Sequence, residues 1–293
     1  MAALGLLAGC GGARARPGAA PSASAAPSHR TVDRAVRTSL AALERRYHAR
    51  LGVFAIDTGS GRTAAYRADE RFAHCSVSKA LETGVLLRRD ADAQLDQVVH
   101  YRRADLQDYS PVTAKHVATG MTVRQLIAAA MDYSDNTAAN LLLDRLGAPA
   151  GLQSALRALG DGTTHTDRPE PDVNEATPGD VRDTSTPRAL GTDLRGFALG
   201  GLLTRTRRAE YVDLLTKNTT GGPYVRAGVP KGWVVGDKTG SGGYGTRNDV
   251  AVVWPATGAP IVLAVLSDRG KQDAPSDDAL IADATRTVVG AFR

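Results

Sequence analysis

Leu51-Gly52-Val53-Phe54-Ala55-Ile56-Asp57 is an apolar run that ends in the turn residues Asp57-Thr58-Gly59-Ser60-Gly61. It reads as a strand, and residues 62–67 read as the strand returning beside it, an antiparallel hairpin. The segment before it has a different period. Residues 31–49 put Val36, Leu40, Leu43 and Tyr47 on one face of a helix and polar residues on the other. Beyond the hairpin the strand signals stop, and residues 68–212 read as helical. Thr122-Val123-Arg124-Gln125 has capping-box form ahead of a helix over 123–131, and helices over 137–146 and 152–159 stop at Gly147 and Gly160. Strands return over 233–241, 249–254 and 261–267, and residues 277–292 form an amphipathic helix through Leu280, Ile281, Ala284 and Val288. The expected fold is therefore α/β of the α+β type. An antiparallel five-stranded sheet is built from both termini with flanking helices, and an all-α lobe is inserted between its halves. The α/β lobe is expected over 31–67 and 213–293 and the helical lobe over 68–212, with the functional site at their boundary.

The chain has 293 residues, 42% of them hydrophobic, enough for one large domain or two closely joined ones. Its net charge of +5 is scattered over pairs such as Arg45-Arg46, Arg88-Arg89 and Arg102-Arg103, and aromatics make up only 5%. Such a chain lacks the basic stripe and stacking rings of a nucleic-acid binder, so no nucleic-acid partner is expected. No apolar run approaches the ~18 residues of a membrane span. His29, His48, His74, His100, His116 and His165 show no metal-ligand spacing, so neither a metal nor a cofactor is expected.

Residues 1–28 stand apart from the fold. Leu7-Ala8-Gly9-Cys10 resembles the lipobox of bacterial lipoproteins, in which the cysteine becomes the lipidated N-terminus. Residues 11–28, rich in Gly, Ala, Pro and Ser, have the composition of a flexible tether. The expected location is the cell envelope, through a lipid on Cys10, or secretion. The apolar stretch before Cys10 is short for a secretion signal, which puts the expected translation start upstream of Met1. A lipidated Cys10 could not pair with Cys75, so no disulfide is expected, and Cys75 reads as a buried packing residue. A monomer is the expected state.

The chemistry begins at Cys75-Ser76-Val77-Ser78-Lys79, at the head of a buried helix expected over 77–87. Residues three apart on a helix have Cβ atoms roughly 5–6 Å apart, so Lys79 can hydrogen-bond Ser76 and take its proton. A helix N-terminus also favours negative charge developing nearby. Ser-x-x-Lys alone is a weak motif, but two tripeptides accompany it. Ser134-Asp135-Asn136 lies between two helices, and Lys238-Thr239-Gly240 ends a strand beside Gly242-Gly243. Residues 163–187 have no apolar period and contain Pro169, Pro171, Pro178 and Pro187. With Arg168 and Asp183 as a clamp, this segment reads as an ordered Ω-like loop.

In this order the three motifs resemble those of class A serine β-lactamases and penicillin-binding proteins. Arg168-Pro169-Glu170-Pro171-Asp172-Val173-Asn174 is in turn similar to the Arg-x-Glu-x-x-Leu-Asn segment of class A β-lactamases, and the resemblance runs from about residue 31 to residue 293. It implies hydrolysis of β-lactam antibiotics through a covalent acyl-serine. Ser76 is then the nucleophile, and Ser134 passes a proton to the departing lactam nitrogen. Lys79 takes or relays the Ser76 proton; it, or Glu170 acting through a water, is the acylation base. Glu170 activates the deacylating water, which Asn174 helps to hold. The backbone N–H groups of Ser76 and Ser241 make the oxyanion hole. Asn136 meets the acylamino carbonyl and Lys79, while Lys238, Thr239, Gly240, Ser241 and Arg247 receive the substrate carboxylate. Tyr109 and Tyr244 are expected at the entrance, and the family has a cis peptide at Glu170–Pro171. Ser78 stands where the family usually has Phe, and in a buried helix its hydroxyl needs a partner. Pro169 and Val173 replace the more frequent Trp and Leu. A D-alanyl-D-alanine carboxypeptidase or transpeptidase is the alternative enzyme, disfavoured by Ser134 in place of tyrosine and by the Glu170 loop. A sensor that acylates without turnover is the alternative outside enzymes.

Overall fold

The computed structural model describes residues 34–293, together with residues 1, 2 and 5; the lipobox-like Leu7 to Cys10 and the tether after it lie outside the described residues. In chain order the first elements are α1 (Arg34–Tyr47), β1 (Arg50–Asp57), β2 (Thr63–Tyr66), β3 (Phe72–Ala73), α2 (Ser78–Arg89) and α3 (Asp92–Leu95). Next come β4 (Val98–Val99), β5 (Met121–Thr122), α4 (Val123–Asp132), α5 (Asn136–Leu146), α6 (Ala148–Ala158) and β6 (Thr184–Ser185). The last are α7 (Pro187–Ala198), α8 (Arg205–Lys217), α9 (Val225–Gly228), β7 (Val234–Ser241), β8 (Arg247–Trp254), β9 (Ile261–Asp268) and α10 (Ala279–Phe292).

Asp57 fixes the first hairpin, its carboxylate accepting from Gly59 N at 2.9 Å and Ser60 Oγ at 2.6 Å. On its other edge β1 pairs antiparallel with β9, and the sheet runs β2-β1-β9-β8-β7 with five strands. The expected sheet from two distant halves of the chain is present, with β7 on an outer edge. Alternate residues of each strand feed different cores, as the two-residue strand period dictates. Leu51, Val53 and Ala55 of β1 join Ala251, Val253, Leu263 and Val265 in a core closed by Leu40 of α1 and Ile281 and Val288 of α10. Phe54 and Ile56 join Val250, Val252, Ala264 and Leu266 on the opposite face, in one core with the helices of the inserted segment.

Helix α7 seals that second face. A Cβ on Gly191 would lie 2.8 Å from Phe54 Cδ1, so glycine permits the close approach of helix and sheet. The inserted segment also carries two tiny ribbons, β3 with β6 and β4 with β5, and α8 continues past residue 212 to Lys217. Two-residue strands leave too short an alternation to be seen in sequence. The capping box at Thr122 forms as expected: its Oγ1 accepts from Gln125 N at 3.2 Å, and Gln125 Oε1 accepts from Thr122 N at 2.8 Å. Gly147, at φ +94, ends α5 in the left-handed region.

The segment over 163–187 is an ordered loop drawn together at its neck. Thr164 and Ser185 share a hydroxyl hydrogen bond of 2.7 Å, and His165 N donates to Thr184 O at 2.8 Å. Inside it Arg168 Nε reaches Asp183 Oδ2 at 2.6 Å, and Asp183 Oδ1 accepts from the backbone N–H of Asp167 and Arg168. A 3₁₀ turn, Asp172–Asn174, buries Val173, and the Glu170–Pro171 peptide is cis. Because the Asp183 side chain is only 1% exposed, Arg168→Ala strands a buried carboxylate. It is expected to cost about 2 kcal/mol or more in urea denaturation and to open the loop to limited proteolysis.

Candidate active site

Ser76 sits on the 3₁₀ turn Cys75–Val77 that leads into α2, and Lys79 lies in the first turn of that helix. Helix α2 is buried all round from Ser78 to Leu87, so the Lys79 ammonium must find its partners inside the protein. It finds five oxygens: Ser134 O and Asn136 Oδ1 at 2.8 Å, Glu170 Oε1 at 2.9 Å, Ser76 Oγ at 3.0 Å and Ser134 Oγ at 3.2 Å. Three of them, Ser134 O, Asn136 Oδ1 and Glu170 Oε1, can only accept, and together they match the three N–H groups of an ammonium. Cys75 (φ 51) and Ser134 (φ 58) are both held in the left-handed region, backbone strain of the kind that gathers at functional sites.

The loop brings Glu170 onto the nucleophile. Ser76 Oγ donates to Glu170 Oε1 at 2.6 Å, and Asn174 Nδ2 donates to Glu170 Oε2. The contact between Ser76 and Glu170 is direct. Burial pushes the Glu170 carboxyl up, but the Lys79 charge and the hydrogen bonds from Ser76, Lys79 and Asn174 outweigh it and hold the group below the ordinary carboxylate range. Asn174 Oδ1 is buried with no hydrogen-bond partner among the described residues.

Behind Ser134 stands Lys238 of edge strand β7, fully buried, its Nζ 3.1 Å from Ser134 Oγ and 2.9 Å from Thr239 O. Burial, reinforced by the Lys79 charge, pulls its pKa down to about 7. Ser134 Oγ is thus flanked by two lysines. Gly240 lets β7 lie against the nucleophile turn: a Cβ there would sit 2.8 Å from His74 O and 3.2 Å from Val77 N. Gly243 N docks the following turn onto Asn174 O at 2.9 Å. Asn136 starts α5, whose N-cap Asp135 accepts from Ala138 N at 2.9 Å and from Val112 N and Thr113 N. Asn136 Nδ2 donates to Asp108 O, so its amide joins Lys79 to the loop that carries Tyr109.

These groups open onto a cleft of about 340 Å³ lined by Ser76, Tyr109, Ser134, Asn136, Asn174, Thr220, Tyr224, Thr239 and Ser241. Lys79, Glu170, Lys238 and Gly240 lie immediately behind that lining. Tyr109, 62% exposed, stands at the mouth as expected, whereas Tyr244 does not line the cleft. Arg247 does not line it either. Its Nε pairs with Asp278 at 2.9 Å at the head of α10, and its charge acts on Tyr224 of the cleft wall. A larger hollow of about 520 Å³ behind the loop contains none of the motif residues. Among the described residues no cluster of three or more His, Cys, Asp or Glu is placed to hold a metal ion. The Cys75 thiol is fully buried and burial pushes its pKa up, so it behaves as packing.

Three residues of this site have no place in the motifs. Asn140 clamps the Glu170 backbone reciprocally, Oδ1 accepting from Glu170 N and Nδ2 donating to Glu170 O, both at 2.8 Å. It lies four residues beyond Asn136, on the same face of α5, a spacing that marks it in retrospect. Thr220, bonded to Thr239 Oγ1, and Tyr224, 3.3 Å from Ser241 Oγ, reach the cleft from a connection with no local signal.

A serine activated by a buried lysine and a carboxylate, beside a second serine–lysine pair, defines a serine hydrolase that works through an acyl-enzyme. Residues 35–292 match the profile of the Beta-lactamase enzyme family. The chain is 55% identical over 266 residues to a β-lactamase of Amycolatopsis lactamdurans, covering 91% of this chain and 88% of that one. It is 50% identical to a β-lactamase of Bacillus licheniformis, over 91% and 87% of the two chains. The solved class A β-lactamase of Clostridium kluyveri superposes with a TM-score of 0.87 at 45% identity, covering 89% of this chain and 99% of that one. The chain belongs to the Beta-lactamase enzyme family, and it is a class A serine β-lactamase.

Proposed function

We propose that Ser76, Lys79, Ser134 and Glu170 divide the hydrolysis of a β-lactam as follows; the direct 2.6 Å hydrogen bond from Ser76 Oγ to Glu170 Oε1 carries the assignment. Ser76 Oγ attacks the lactam carbonyl carbon as its proton passes to Glu170, because the neighbouring Lys79 is already a donor. The carbonyl oxygen meets the backbone N–H groups of Ser76 and Ser241, which the absence of a Cβ on Gly240 brings close together. The lactam C–N bond breaks, and its nitrogen takes the proton of Ser134. Lys79, 3.2 Å from Ser134 Oγ, replaces that proton and recovers its own from Glu170 at 2.9 Å.

Once acylated, Ser76 Oγ carries no hydrogen and its bond to Glu170 is lost. The freed carboxylate then serves a water, for which the unpartnered Asn174 Oδ1 is a second acceptor. Lys238, Thr239, Thr220 and Ser241 offer charge and hydroxyls to the substrate carboxylate, and Arg247, paired with Asp278, adds its charge from beside Tyr224. Asn136 presents its amide to the acylamino group, and Tyr109 covers the mouth of the cleft. The Leu7-Ala8-Gly9-Cys10 sequence and the tether after it support export and attachment to the cell envelope through a lipid on Cys10.

The parent protein is expected to turn over a chromogenic cephalosporin continuously; a single stoichiometric burst would overturn the assignment of Glu170 to deacylation. Glu170→Ala is expected to slow deacylation by ~10²–10⁴, so that an acyl adduct accumulates in intact mass spectra. Because the Lys238 charge is lost as pH rises through about 7, KM for an anionic β-lactam is expected to climb over that range, and Lys238→Arg, charged throughout, to flatten the climb. Mass spectrometry of the native protein is expected to find Cys10 lipidated; an unmodified Cys10 on a full-length cytoplasmic chain would exclude the anchor.

A further inference from the structure

Glu82 has no role in the chemistry above, yet it is a carboxylate only 4% exposed on α2, three residues beyond Lys79. That spacing puts it on the same helical face as Lys79. Its Oε1 accepts from Ser78 Oγ at 3.1 Å, and its Oε2 is buried with no hydrogen-bond partner among the described residues. A half-satisfied carboxylate inside a helical core is costly and needs a compensating interaction. The charges that act on it are Lys79 of its own helix, Glu170 of the loop and Lys238 of β7, all members of the catalytic cluster. Helices α4 to α8 pack around α2, and of their titratable groups only Asp193 and Tyr211 are buried; the Tyr211 hydroxyl is engaged by Ala80 O at 3.1 Å. Ser78 is the position where this chain departs from the Phe usual in the family it resembles. The hydroxyl that replaces the ring is the donor for Glu82, so the two polar residues form one unit.

We propose that Glu82 is a positioning residue whose charge, on the helical face it shares with Lys79, acts on the catalytic cluster and makes Glu170 the stronger base. The inference rests on the hydrolysis assigned above. Burial, opposed chiefly by Lys79, pushes the Glu82 carboxyl up to about 7, so its charge changes in the neutral range. Protonated, it leaves Glu170 as the one carboxylate among the described residues that pairs with Lys79. Ionised, it adds a further negative charge, and the like charge raises the proton affinity of Glu170. The rate at saturating substrate therefore rises with pH through that range. Lys238 does not confuse the reading at saturation, because the substrate carboxylate then pairs with it and keeps it charged.

The test compares the parent, Glu82→Gln and Ser78→Ala on a chromogenic cephalosporin, with first-turnover acylation and kcat followed across neutral pH. The parent is expected to show an inflection near 7. Glu82→Gln is expected to lose it, with a rate about threefold lower on the alkaline side and unchanged on the acid side, and with the pH dependence of KM intact. Ser78→Ala removes a donor that lowers the Glu82 pKa, so it is expected to keep the inflection and move it upward by roughly half a unit to one unit. Glu82→Gln also removes a buried acid whose folded pKa is raised. That acid's ionisation destabilises the fold as pH rises towards 7, so Tm of the variant should rise at and above neutrality. A higher Tm with a pH profile that superimposes on the parent's would overturn the positioning role, as would an unmoved inflection in Ser78→Ala. A parent that does not turn over would overturn the hydrolytic reading beneath it instead.

Discussion

Everything at this site depends on keeping one ammonium charged inside the protein. Lys79 has no exposure to solvent, and an unpaired buried ammonium would give up its proton rather than its hydration. The fold answers with oxygens from three separate parts of the chain: the nucleophile turn, the junction of α4 and α5, and the long loop. Each of those oxygens belongs to a residue with work of its own. The group that stabilises the charge is therefore also the group that reacts, and disturbing one partner disturbs the others.

This explains why so much of the structure serves the placing of one loop. Glu170 compensates Lys79 only if its backbone is held, and Asn140, Arg168 with Asp183, and Gly243 against Asn174 hold it from three sides. A partly buried ion pair is weak evidence of net stability, but breaking one side of it is strongly unfavourable. The clamp therefore works less as a source of stability than as a constraint on position. Edge strand β7 gives the fourth wall, and its approach is permitted by a missing side chain at Gly240. The same economy of charge makes Glu82 informative, since a further acid so near this cluster cannot be electrostatically silent.

Much of the fold was legible because its signals are local. The continuous apolar runs of β1, β8 and β9, the capping box at Thr122 and the glycine at 147 each state their structure within a few residues, and all are found in place. The candidate catalytic residues were legible for another reason: they fall in short motifs whose residue types the chemistry demands. The pairing of Arg247 with Asp278 was not legible, because the two lie 31 residues apart along the chain. Thr220 and Tyr224 were missed because nothing in their own segment distinguishes them from ordinary turn residues.

By itself the sequence determined the elements, their order and the chemical groups on offer, because helix and strand periods and the motif residues are written in neighbouring positions. Only the tertiary structure decided which of those groups meet. Hydrogen-bond distances between Ser76 and Glu170, 94 residues apart, or between Lys238 and Ser134, 104 apart, are set by the packing of whole elements. So is the charge state of each buried group. The pKa of Lys238 or Glu82 is a property of the space around it, created by burial and by the neighbours that burial forces together.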